Sequence, residues 1–241
     1  MCTGQKDSKE NINDKYLAPT SIIDSDNDEV VRFADSIVKN VVDPVETAVK
    51  LYYAVRDMIW YDPYYPFYLP EHYRASNIIK SRHGFCIPKA ALLCALGRAR
   101  GIPTRIGFAN VRNHLATRQL LEYMGTDIFA YHGFTEFYLE GKWIRATPAF
   151  NKELCLRHNV APLEFNGRED SIFHPYNNDN KPFMEYIEYL GTCADVPVDD
   201  ILEGWEKVYG RDHIKGRIEE FEMGRDSRPV RNFDKEDVVE L

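Results

Sequence analysis

The 241-residue sequence contains no run approaching the roughly 20 apolar residues that a helix needs to span a bilayer. Its opening, MCTGQKDSKENIND, lacks the apolar stretch of a secretory signal. The expected location is therefore the cytoplasm, without a membrane partner. The alternative is a lipid anchor on Cys2, because a Cys followed by a short polar tether is also how a mature bacterial lipoprotein begins. There is no CxxC pair among Cys2, Cys86, Cys94, Cys155 and Cys193, which excludes a zinc-ribbon pattern and gives no sign of a disulfide framework. Their odd number leaves at least one thiol free. Basic charge is also short, with 30 Lys and Arg against 38 Asp and Glu for a net charge of −8, and no basic stripe occurs. Nucleic acid is not an expected partner. With no phosphate-cradling glycine loop and no cluster of metal ligands, the expected cofactor set is none.

What is present is ample material for a core: 44% of residues are hydrophobic and 13% aromatic. Residues 1–24 are polar with little periodicity and read as a flexible leader. Residues 25–210 read as a single domain, and 211–241 as a charged segment packed on it or trailing from it.

Within the domain, Val30, Val31, Phe33, Ala34, Ile37 and Val38 form one helical stripe, and Asp43-Pro44 caps a second helix running to about Ile59. The stretch WYDPYYPFYLPEHY, residues 60–73, carries three prolines among its rings. It is an ordered loop, either a flap over the core or one wall of a substrate cleft. CIPKAALLCALGRAR (86–100) predicts a helix with Pro88 in its first turn and Gly101 beyond its end. TRIGFANV (104–111), AYHGFTEFYLE (130–140) and 142–146 predict an antiparallel sheet behind that helix, with Glu140-Gly141 as a turn. HLATRQLLEYM (114–124), closed by Gly125, predicts a short helix inserted between strands. A further helix is expected at 198–209, and the stretch after residue 151 is otherwise weakly patterned.

A thiol attacks a carbonyl as thiolate, and a helix N-terminus supplies partial positive charge and free N–H groups that lower its pKa. Cys86 has that position. The same N–H groups can face a developing oxyanion. Of seven histidines, His132 is the best placed to serve as base, early in a strand and followed by Gly133.

The run GFCIPKAALLCALGRARGIPTRIGF (84–108) followed by YHGFTEFYLEGKWIRATPAF (131–150) resembles the transglutaminase-like superfamily of papain-like thiol enzymes. In that family a G-x-C opens the central helix, GIP-x-R follows at the next strand, and H-x-W/F-x-E leads to a W-x-x-x-D-P turn. The resemblance covers residues 77–151. It implies an α+β, papain-like fold with Cys86 as nucleophile and His132 as base, and Glu136, Trp143 and Pro148 also fall on family positions. It also implies one departure, since Thr147 stands where the family has the Asp that orients the imidazole. A hydroxyl can only accept a hydrogen bond from the ring, where a carboxylate would also stabilise the imidazolium. Asn151, Asp127 and Asp170 are candidate substitutes.

Other reactive side chains have plainer readings. Cys94, Cys155 and Cys193 read as small core or neutral residues, His83 and His114 as solvated loop residues, and Arg105 and Glu136 as a scaffold pair. Asp170 and His174 share a spacing of four but lack a third ligand. The expected activity is acyl transfer from amide or peptide carbonyls through a thioester, with a peptide, protein or small amide as substrate. Hydrolysis is expected before transamidation. The alternative is an impaired fold of the same family serving as a binding or scaffold protein.

Overall fold

The computed structural model describes residues 9–223 and 233–236, and opens with helices α1 (Lys9–Leu17), α2 (Asp28–Ile37) and α3 (Pro44–Met58). Side chains fix two of the starts: Asn27 Oδ1 accepts from the Glu29 N–H and Asp43 Oδ1 from the Glu46 N–H, with Pro44 in the first turn of α3. From Lys9 onward the expected leader is part of the folded structure. Ile12, Tyr16, Ile22 and Ile23 are buried, and the Tyr16 ring meets Trp143 edge-on at 5.2 Å. Ile12 and Tyr16 share one helix face but are diluted by charged neighbours, which hides the stripe in the sequence. Residues 1–8, including Cys2, lie outside the described residues.

After α3 the aromatic loop contains a two-residue strand, β1 (Trp60–Tyr61), and a 3₁₀ turn at Pro70–His72. Next come α4 (Ala75–Ser81), β2 (His83–Gly84) and the central helix α5 (Cys86–Ala99). β1 and β2 pair in parallel and bring the aromatic loop beside the start of α5. Nearly the whole length of α5 is buried, which fits its apolar composition on all sides.

β3 (Thr104–Asn113), α6 (Arg118–Met124), β4 (Ile128–Leu139) and β5 (Lys142–Ala146) follow. The turn between β4 and β5 places Glu140 and Gly141 at φ 49° and 84°, the left-handed pair that a tight hairpin requires. α6 begins at Arg118, later than the apolar spacing implied, because Thr117 Oγ1 accepts from the Leu120 N–H and caps it there. The chain then forms α7 (Lys152–Arg157), β6 (Met184–Cys193), α8 (Val198–Tyr209) and α9 (Arg211–Glu222).

The sheet runs β5-β4-β3-β6, antiparallel throughout. The expected α+β class and the sheet behind the central helix are therefore present, with β6 as an added edge. β6 escaped the sequence reading because most of it is exposed and its acidic and aromatic residues do not alternate by face. Within the charge-rich segment from residue 211, Ile214, Ile218 and Phe221 make a stripe on α9 that packs on the core. Phe233, beyond α9, is also buried in that core.

α5 is pinned to the sheet by polar as well as apolar contacts. Thr135 Oγ1 donates to Ala90 O at 2.9 Å, and Thr104 Oγ1 to Cys94 O at 2.8 Å. These bonds fix the rotation of α5 and hence the direction in which Cys86 points. Among the described residues no helix is long and apolar enough to cross a membrane.

Candidate active site

Cys86 is the first residue of α5, and no side chain caps that end. The first-turn N–H groups are thus available, and the N–H groups of Gly133, Ile87 and Cys86 itself act on Sγ in the direction that favours the thiolate. Gly133, on β4, approaches so closely that a Cβ there would stand 2.9 Å from Ile87 Cα. Only glycine permits this contact between strand and helix start.

The thiol pKa runs against the sequence expectation. Burial pushes Cys86 up to about 11, with the three N–H donors acting in the lowering direction. Desolvation outweighs the helix N-terminus because the thiolate loses more hydration than the nearby backbone N–H groups restore. Cys86, Cys94 and Cys155 are free thiols, and burial raises all three, whereas Cys193 is disulfide-bonded, a correction to its reading as a plain residue.

His132 sits on β4 opposite Ala109 and immediately before Gly133. Its ring is buried and tilted against Phe173 at 4.6 Å, and its Nε2 has no hydrogen-bond partner. Burial lowers its pKa to about 3. The resting site therefore holds a neutral thiol and a neutral imidazole.

A bulge aims His132. Between the pairs Ala109↔His132 and Val111↔Phe129, one residue of β3, Asn110, faces two of β4, Ala130 and Tyr131. Tyr131 takes φ 56°, a left-handed conformation costing about 1–3 kcal/mol in a non-glycine residue. Three side chains hold the bulge. Asn110 Oδ1 accepts from the Tyr131 N–H at 3.1 Å, Tyr209 Oη from the Ala130 N–H at 2.7 Å, and Trp205 Nε1 donates to Ala130 O at 2.9 Å. Backbone groups released from the ladder are thus satisfied by α8 and by Asn110 of β3. Sequence reasoning missed Asn110, Trp205 and Tyr209; a Trp and a Tyr one helical turn apart on the predicted helix were the available signal.

Thr147 is buried just past β5 with its Oγ1 beside the Tyr186 hydroxyl, on which it acts in the lowering direction against the larger effect of burial. Extending the Thr135↔Ala146 pairing by one step puts Thr147 beside Phe134, on the sheet face that also carries His132. None of the candidate substitutes is free for the imidazole. Asn151 Oδ1 accepts from the Tyr61 N–H while its Nδ2 donates to Arg56 O and Ile59 O. Asp127 pairs with Arg112 and Asp170 accepts from the Arg145 N–H.

The remaining residues take structural places. Glu136 is buried between Arg105 at 2.6 Å and Arg145 at 3.3 Å, with Arg105 lying over the Trp143 ring. His83 is exposed and bonds Ser81 O, while His114 lies 3.5 Å from Glu185. Asp170 faces Arg145, and no group of three His, Cys, Asp or Glu able to hold a metal occurs among the described residues.

Cys86 and His132 both line a cavity of about 90 Å³, set in a depression whose empty space, mouth included, is about 1060 Å³. Tyr61, Pro63, Tyr65 and Phe67 line it too, so the aromatic loop is a wall of the cleft.

Residues 31–148 match the model of the transglutaminase-like superfamily. No curated protein sequence matches the chain. Among solved structures it is similar to a candidate cysteine protease from Cytophaga hutchinsonii, with a TM-score of 0.51 and 16% identity over 81% of this chain and 51% of that one. A candidate protease from Parabacteroides distasonis aligns at a TM-score of 0.36 and 16% identity over 58% of this chain and 26% of that one. This chain spans about half the length of the first of these structures.

Proposed function

With the chain a member of the transglutaminase-like superfamily through residues 31–148, we propose that it is a cysteine-dependent acyl-transfer enzyme acting on amide or peptide carbonyls. The observation that carries the reading is that Cys86 opens a buried helix whose end no side chain caps, with Gly133 pressed against its first turn and His132 adjoining that glycine.

Because thiol and imidazole both rest neutral, the proton moves during attack. His132 takes the Sγ proton as sulfur bonds to the carbonyl carbon, and N–H groups near Sγ receive the oxyanion. Collapse breaks the C–N bond, the imidazolium protonates the departing amine, and a thioester remains on Cys86. Water attacks the thioester, giving its proton to His132, and the tetrahedral adduct releases the acid and the thiol. An amine in place of water gives transamidation by the same route.

A second reading, a binding or scaffold protein, is favoured by one observation. His132 Nε2 is buried without a hydrogen-bond partner, and burial alone sets its titration, with no carboxylate among the described residues acting on the imidazole. Incubation with p-nitrophenyl acetate followed by intact-mass and peptide analysis separates the two. Acylation of Cys86 that vanishes in Cys86→Ala and falls by roughly 10²–10⁴ in His132→Ala supports the enzyme. A wild-type protein that never acquires the acetyl group on Cys86 sinks it.

A further inference from the structure

We propose that the cavity beside Cys86 is an acyl subsite that selects an uncharged apolar group of about four carbons, the size of a leucine side chain or a butyl chain. The proposal rests on the acyl-transfer reading and names its substrate class.

Three observations lead there. The first is continuity, since Cys86 and His132 belong to the cavity lining, so a group seated in it is held against the thiol. The second is chemistry: Leu115, Leu120, Phe129, Phe150, Phe183 and Met184 line it, with Phe129 and Phe150 partly buried and the other four buried. A polar substrate group there would lose its water and gain few partners. The third is size. A cavity of roughly 150 Å³ takes up benzene, so 90 Å³ suits a group of about four carbons.

Among the described lining residues the charged group is Arg217, which lies over the Tyr123 ring at 3.6 Å and over Phe67 at 4.7 Å. These stacked contacts engage its guanidinium with the wall, so the subsite is read as apolar in spite of it.

The test uses the intact protein and a set of N-substituted iodoacetamides at pH 9: unsubstituted, N-butyl, N-octyl and N-(3-carboxypropyl). Second-order alkylation of Cys86 is followed by peptide mass analysis, with glutathione as reference thiol. Each buried methylene contributes about fourfold, so N-butyl should gain on the order of 100-fold over iodoacetamide at Cys86, and nothing comparable on glutathione. N-octyl should gain no more than N-butyl, and the carboxypropyl reagent should lose the gain.

Equal chain-length ratios on Cys86 and glutathione would overturn the subsite while leaving acyl transfer standing wherever p-nitrophenyl acetate still acylates Cys86. Preference for the carboxypropyl reagent would overturn it in favour of an anionic group met by Arg217. Failure of every reagent to reach Cys86 would overturn it as well. Leu120→Trp, checked for folding by its thermal melt, should shrink the N-butyl advantage; an undiminished advantage places the alkyl group elsewhere. Should that variant not fold, the series on the wild-type protein decides alone.

Discussion

Alkylation of Cys86 by iodoacetamide as a function of pH tests the resting protonation state directly. Burial moves the thiol from 9.0 to about 11, and two pKa units reduce the thiolate fraction at pH 7 by about 100-fold relative to an unperturbed cysteine. Reaction follows the thiolate, so the logarithm of the rate should climb one unit per pH unit from 6 to about 10 without a plateau. The slope and midpoint matter more than the absolute rate, because a half-buried site slows the reagent at every pH alike. Peptide mapping separates Cys86 from Cys94 and Cys155, and protein unfolded in urea supplies the reference. His132→Ala should leave the profile nearly unchanged, since a neutral imidazole with a pKa near 3 does not hold a thiolate beside it. A rate already level between pH 5 and 7 would refute this reasoning, because it would mean a preformed thiolate–imidazolium pair whose mutual attraction outweighs desolvation.

The same burial predicts acid sensitivity. Below pH 6.5 the unfolded chain binds a proton at residue 132 that the folded chain refuses until about pH 3, so stability falls as pH drops through that window, by about 3 kcal/mol at pH 4.5. Urea melts at pH 7 and 4.5 should show that loss in the wild type and a smaller one in His132→Gln. Thr147→Asp should raise the pKa of His132 and speed acylation of Cys86 by on the order of 10- to 100-fold, read from the acetyl-enzyme; an unchanged rate would mean that position 147 does not orient the ring. Gly133→Ala should cost about 1–3 kcal/mol in denaturant melts, because the new methyl group meets Ile87 Cα at 2.9 Å. Asn110→Ala removes the bond that holds Tyr131 left-handed and should cost about 1 kcal/mol, with a larger proportional loss in acylation than in stability.

The central helix and the strands bearing His132 and Trp143 were legible because their signals are local. Pro88 and Gly101 punctuate α5, Glu140-Gly141 closes the hairpin, and the apolar runs between them match their elements. β6 was not legible, since an exposed edge strand has no buried face to impose alternation. Cys86 and His132 stood out by residue type and position, whereas their protonation did not. The helix start points toward a low thiol pKa, and only the surrounding packing reveals that desolvation wins. The candidate substitutes for the missing Asp failed for a related reason: Asn151, Asp127 and Asp170 have suitable chemistry, but each is held by a partner that only the tertiary fold brings close.

The bulge before His132 also sets a lower limit on how small a working version of this protein can be. Every side chain of the family motif lies within residues 31–148, but two of the three groups that hold the bulge, Trp205 and Tyr209, come from α8, far downstream. A fragment ending after the motif would retain the nucleophile and the base yet leave the N–H and C=O of Ala130 open to water, and Tyr131 free to relax out of its left-handed turn. The recognisable part of the site is in this sense not a self-sufficient module, because its aim is set by a helix outside the motif.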